Sequence, residues 1–140
     1  MRDCTQDAKA LFARFAQRHG LQFDVDASAP VEVLWRFPEQ EKLSHAIILG
    51  LQNGDELNFG VGEFWSYFFP FDEKWKDFEA AIDAWIAGDA RITPASPWTY
   101  ALQVRQDRGW STVYSASQLF PSFRHRPTIS NSRRDVAVRT

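Results

Sequence analysis

The sequence predicts a single α+β domain, a mostly antiparallel sheet of about six strands with two helices packed on it. Three observations lead there. Two segments carry apolar residues at helical spacing and close on a glycine, several others alternate apolar with polar residues, and an Asn-Gly pair separates two of the alternating segments. Two helices are too few to supply a crossover between every pair of strands, so antiparallel pairing with helices against one face is the consistent arrangement.

Each element has its own signature. In residues 5–19 the apolar residues Ala8, Leu11, Phe12, Phe15 and Ala16 form one stripe, and Lys9, Arg14 and Arg18 fall off it. Thr5 or Asp3 can cap that helix, and Gly20 suits the left-handed conformation that follows a helix end. Leu21, Phe23 and Val25 alternate with Gln22, Asp24 and Asp26, giving a strand that turns at Ala27-Ser28-Ala29-Pro30. Val31, Val33, Trp35 and Phe37 form the next strand, which Pro38 ends because it lacks a backbone donor.

Ser44–Leu51 and the run from Asp55 onward flank Asn53-Gly54, a hairpin signal. A two-residue loop there pairs Ile48 with Phe59, Ala46 with Val61 and Ser44 with Glu63. One strand face then carries Leu57, Phe59, Val61, Glu63 and Trp65, and Gly60 and Gly62 lie on the other. The continuation from Phe64 to Phe69 is apolar on both faces, with Trp65, Tyr67 and Phe69 on one and Phe64 and Phe68 on the other. A central strand or an interface explains such a segment.

Asp72 is placed to cap a helix over residues 73–87, whose stripe is Trp75, Phe78, Ile82, Trp85 and Ile86 and whose end is Gly88. A short strand at Arg91-Ile92 follows, then a hairpin. In it Trp98, Tyr100, Leu102 and Val104 share a face, Asp107-Arg108-Gly109 turns the chain, and Trp110, Thr112 and Tyr114 share a face on the return strand.

Charge divides the chain near Pro121. Residues 1–121 hold 11 Lys and Arg against 17 Asp and Glu, whereas residues 122–140 hold 5 against 1. The expected organisation is a single domain over 1–121 followed by a flexible basic tail over 122–140, and deletion of residues 127–140 is expected to leave the melting temperature nearly unchanged. Apolar runs fall far short of the roughly 20 residues of a membrane-spanning helix. The single Cys4 and an N-terminus without an apolar signal core fit a cytoplasmic protein.

Catalytic templates fail. Gly60-Val61-Gly62 has Trp65 where a dinucleotide loop needs its third glycine, and it lies inside a strand pattern. Phosphate-cradling, nucleophile-elbow and zinc-protease motifs are missing, and His19, His45 and His125 are scattered, so neither a metal site nor a cofactor is expected and no catalytic residue is assigned. Cys4 reads as an incidental terminal cysteine, and Asp24 and Asp26 as the wet face of a strand.

Glu63 is the unusual acid. Buried among Phe59, Val61 and Trp65, its carboxyl would be desolvated toward general-acid or general-base use, unless Ser44, Arg36 or Arg105 pairs with it or a bulge turns it to water. Trp35, Trp75 and Trp85 belong to the core pattern. Trp65, Tyr67 and Phe69, with Trp98, Tyr100, Trp110 and Tyr114, are the candidates for a ligand or partner surface.

The function that fits is a non-enzymatic binding or protein-interaction module working through an aromatic-rich sheet face, as a homodimer and with a protein partner. A small enzyme or ligand-binding protein with a pocket around Glu63 and its Trp and Tyr neighbours is the alternative. A nucleic-acid partner is disfavoured, because the aromatic residues lie in the acidic body and are not interleaved with the arginines of the tail. In element order and acidic charge the chain resembles the small dimeric chaperones of bacterial type III secretion, which are α+β sandwiches. It departs from them at the C-terminus, where a basic tail replaces their third helix.

Overall fold

A computed structural model of the chain describes residues 3–117 and 127–132. The first helix, α1, runs over Thr5–His19 and buries Ala8, Leu11, Phe12, Phe15 and Ala16, the predicted stripe. Gly20 takes the left-handed conformation and its N–H bonds back to the last turn. Asp3 braces the start by accepting hydrogen bonds from the Thr5 N–H and hydroxyl.

Five strands follow: β1 (Asp24–Val25), β2 (Val33–Phe37), β3 (Ile47–Gln52), β4 (Glu56–Val61) and β5 (Phe64–Trp65). They form one antiparallel sheet in chain order. The second helix, α2, covers Phe71–Ala87 and also ends on a left-handed glycine, Gly88. Pro70, not Asp72, stands at its N-cap, and Asp72 and Glu73 lie in the first turn, where they favour the positive end of the helix dipole. Beyond it, β6 (Ala90–Ser96), β7 (Thr99–Gln106), β8 (Gly109–Ser117) and β9 (Ile129–Ser130) build a second antiparallel sheet in the order β8-β7-β6-β9. The fold is therefore α+β as predicted, but with nine strands in two sheets among the described residues. Two causes separate it from six strands in one: short two-residue strands close the edges, and α2 intervenes between the sheets.

The helices lie on the apolar side of the first sheet, where Trp35, Leu49 and Phe59 stand opposite one another in neighbouring strands. Phe12 packs edge-on against Trp35 and touches Phe78 of α2, and Phe59 meets Trp85 edge-on. Arg14 with Glu79, and Arg18 with Asp83, bridge α1 to α2, so residue numbers rise together and the helices run parallel. These pairs are partly exposed and add little to stability.

Two register readings are corrected. The Asn53-Gly54 hairpin closes with a three-residue loop, Asn53 and Gly54 both at positive φ, and pairs Ile48 with Gly60 and Leu49 with Phe59. The Gly54 carbonyl accepts a hydrogen bond from the Cys4 N–H ahead of α1, a tertiary contact that holds this longer loop. The run from Asp55 to Phe69 is not one strand either. Gly62 at positive φ and Glu63 make a two-residue turn, so Val61 faces Phe64 and Gly60 faces Trp65. A Cβ on Gly60 would lie 2.5 Å from a Trp65 ring carbon, so the indole lies directly over the glycine.

The expected tail boundary also shifts. Residues 122–126 and 133–140 lie outside the described residues, but 127–132 belong to the fold. Ile129–Ser130 pairs with β6 opposite Arg91 and Ile92. Asn131, 1% exposed, accepts a hydrogen bond from the Ser44 N–H and donates to the carbonyls of Lys42 and Ile86. Composition hid this, because one buried amide with several partners anchors a chain that has few large apolar groups. Asn131→Ala leaves those backbone groups unpaired and is expected to cost about 3 kcal/mol in denaturant unfolding without changing the slope of the transition. Loss of less than about 1 kcal/mol would show that water replaces the amide.

Candidate functional site

α2 has two sides of unequal bulk. Phe78, Ile82, Trp85 and Ile86 are buried against the sheets, whereas Ala80, Ala81 and Ala84 present a low strip. Above that strip the chain leaves a cleft of about 730 Å³. Its other walls are Tyr67, Phe68 and Phe69 on one side, and Val104 and Gln106 of β7 with Thr112, Val113 and Tyr114 of β8 on the other. Lys74, Asp77 and Arg105 put charges of both signs on its lining.

A bulge shapes the β8 wall. Pairing shifts by one residue between Leu102, which faces Tyr114, and Gln103, which faces Thr112. Val113 is the extra residue, and both Val113 and Tyr114 pack against the core cluster. The Tyr114 ring stacks near Phe68 and meets Phe64 edge-on, joining the second sheet to the first. Burial pushes the Tyr114 phenol above its usual pKa, the Tyr67 phenol adds to the shift, and a backbone hydrogen bond from Tyr67 partly offsets it.

Of the residues singled out from the sequence, Tyr67, Phe69 and Tyr114 line this cleft. The alternation predicted for their segment holds, with Phe64 and Phe68 buried and Tyr67 and Phe69 exposed. Trp65 lies over Gly60 instead. Glu63 does not stand in an apolar row between Val61 and Trp65; it is exposed on the β4–β5 turn, because that turn ends the strand one residue earlier. Trp98 is half exposed in the Pro97-Trp98 turn, and Tyr100 packs on the core from the start of β7, away from the cleft at its far end.

The bulge also separates Trp110 from Tyr114, which had been expected on one face. Trp110 stacks with the guanidinium groups of Arg91 and Arg105, at 4.1 and 4.7 Å. Arg91 in turn donates to Gln103, and Gln103 to Thr112. Sequence reasoning missed the alanine strip of α2 and the contribution of Val104, Gln106, Thr112 and Val113. The available signal was the spacing of Ala80, Ala81 and Ala84, three small residues beside a bulky stripe.

Among the described residues no group of three or more His, Cys, Asp or Glu side chains is placed to hold a metal ion. Asp26, one of the early acid pair, accepts hydrogen bonds from the Ser28 hydroxyl and N–H and from Arg36, which hold its carboxyl below the usual range.

The Tyr114 phenol gives a pH signature. The folded chain holds this proton more tightly than the unfolded chain, so its stabilising contribution is complete below about pH 10 and is lost as the pH rises through the shifted value. Ultraviolet titration is expected to show a late phenol step that Tyr114→Phe removes. Persistence of that step in the variant would overturn its assignment to Tyr114.

Compared with known protein families, with curated proteins and with solved structures, the chain matches none.

Proposed function

We propose that this chain is a non-enzymatic binding module that takes an apolar or aromatic group of a protein partner into the cleft between α2 and β7–β8. The carrying observation is the cleft itself, about 730 Å³, with two exposed aromatic side chains at one wall: Tyr67 is 43% exposed and Phe69 54%. That volume lies within the usual range of ligand pockets. Large rings left in water beside a concave surface floored by alanine are what binding sites use, since they supply contact area at low cost in side-chain entropy. The alanine floor gives depth without a polar group that would need a partner.

The rival reading is a small enzyme or ligand-binding protein with a pocket around Glu63 and its Trp and Tyr neighbours. Glu63 is exposed on its turn and does not line the cleft, which leaves that reading without its acid. A homodimer and a cytoplasmic location remain part of the proposal. No helix of the described residues is long and apolar enough to cross a membrane.

An environment-sensitive naphthalenesulfonate dye tests the cleft. Saturable binding to the native chain is expected, with affinity reduced about tenfold or more by Ala84→Trp, which fills the floor, and unchanged by Glu63→Gln. Equal binding to the Ala84→Trp protein, folded by circular dichroism, would remove the cleft from the proposal.

A further inference from the structure

The cleft follows one track along α2. Lys74, Asp77, Ala81 and Ala84 recur at spacings of three and four, which puts them on one face of the helix. Lys74 lies in the first turn of α2, and Arg105 lies past its last turn, where its N–H donates to the Asp89 carbonyl. The cleft therefore runs lengthwise, with a cation near each end of the helix. Lys74 to Ala84 spans about 15 Å at 1.5 Å per residue. Spread over that length, the 730 Å³ leaves a cross-section of about 50 Å². An extended chain fills about 48 Å², from roughly 4.8 Å between strands and 10 Å between sheet faces, whereas a helix about 10 Å across needs about 80 Å².

The walls suit such a chain. An extended backbone brings N–H and C=O groups that it cannot pair within itself, and a buried one must find partners for them. The Gln106 side-chain amide and the Tyr67 hydroxyl line the cleft, and neither makes a hydrogen bond among the described residues. Lys74 and Asp77 are exposed and form no ion pair among the described residues. Arg105, paired with Asp89 at 3.4 Å, keeps 55% of its side chain exposed. Two cations and one acid thus line the cleft, in a body over residues 1–121 that holds 17 acids against 11 bases. A negatively charged segment is drawn to this surface and repelled by the rest. We infer that the cleft takes an extended, acidic segment of the partner protein, about four or five residues long at 3.3 Å each, with large apolar side chains at alternate positions on the alanine floor. This rests on the reading of the chain as a binding module and names the form and chemistry of what it binds.

Phage-displayed random peptides of about seven residues, selected on the immobilised full chain, are the probe. Enriched sequences are expected to place large apolar residues two positions apart and to carry more Asp and Glu than Lys and Arg. Synthetic copies, followed by fluorescence anisotropy, are expected to bind Ala84→Trp at least about tenfold more weakly than the native chain. Lys74→Glu is expected to weaken them about fivefold and Asp77→Lys to tighten them about fivefold, each with native circular dichroism, and added salt to shrink both effects. Enriched apolar residues spaced by three and four would put a helix in the cleft, and basic sequences would reverse the charge argument; either overturns the inference. So does a selection that yields no peptide dependent on an open alanine floor. A two-chain mass by light scattering that Ala84→Trp reduces to one chain would give the cleft to a second copy, with the same result. If the dye still loses its affinity for Ala84→Trp, these outcomes remove the extended segment and leave the cleft. Dye binding indifferent to Ala84→Trp removes the cleft itself.

Discussion

Every layer of this fold is arranged around the burial of one face of α2. Its Trp85 is fully enclosed, and the indole N–H has no hydrogen-bond partner among the described residues. An unpaired buried donor costs roughly 1–3 kcal/mol, so the surrounding packing outweighs it. Phe59 from the first sheet and Ile92 and Leu102 from the second belong to the same buried cluster, and α1 closes the remaining side through Phe12 on Phe78. The two sheets are held together by what they share on this helix. Where the helix surface drops from large side chains to alanine, the walls no longer meet and the cleft opens. Core and candidate site are thus two consequences of one side-chain distribution.

Local physics made the helices legible. Stripes of apolar residues and the glycines at 20 and 88 fixed their extents to within two residues at each end, because amphipathic burial and the left-handed C-cap are properties of the segment itself. Strand register was less legible, because one residue in a loop reverses every facing relation. Asn53-Gly54 suits a two-residue turn, yet the loop takes Asp55 as well and is tied through Gly54 to Cys4, 50 positions earlier in the chain. Nothing in the hairpin sequence announces that bond. The Gly62-Glu63 turn did have a signal, glycine at the first central position, but the apolar run after it reads equally well as a continuing strand.

The site was legible in part for the same reason. Tyr67 and Phe69 were recognisable from alternation alone, and Tyr114 from its place in the last hairpin. Trp110 was misjudged because a bulge is one extra residue without a composition of its own, and it moves every later side chain to the opposite face. Trp65 was misjudged because its neighbour across the strand is a glycine, and the ring takes up the space that glycine leaves.

Asn131 has a meaning for synthesis as well as for stability. Its partners at Lys42, Ser44 and Ile86 leave the ribosome long before it does, so their backbone groups wait in water for a side chain still to be made. Until then the end of α2 lacks its cover and the β6 edge lacks β9. The domain therefore completes its fold only when this asparagine and β9 are in place, and a chain that lacks them has a bare β6 edge where the complete one has a paired strand.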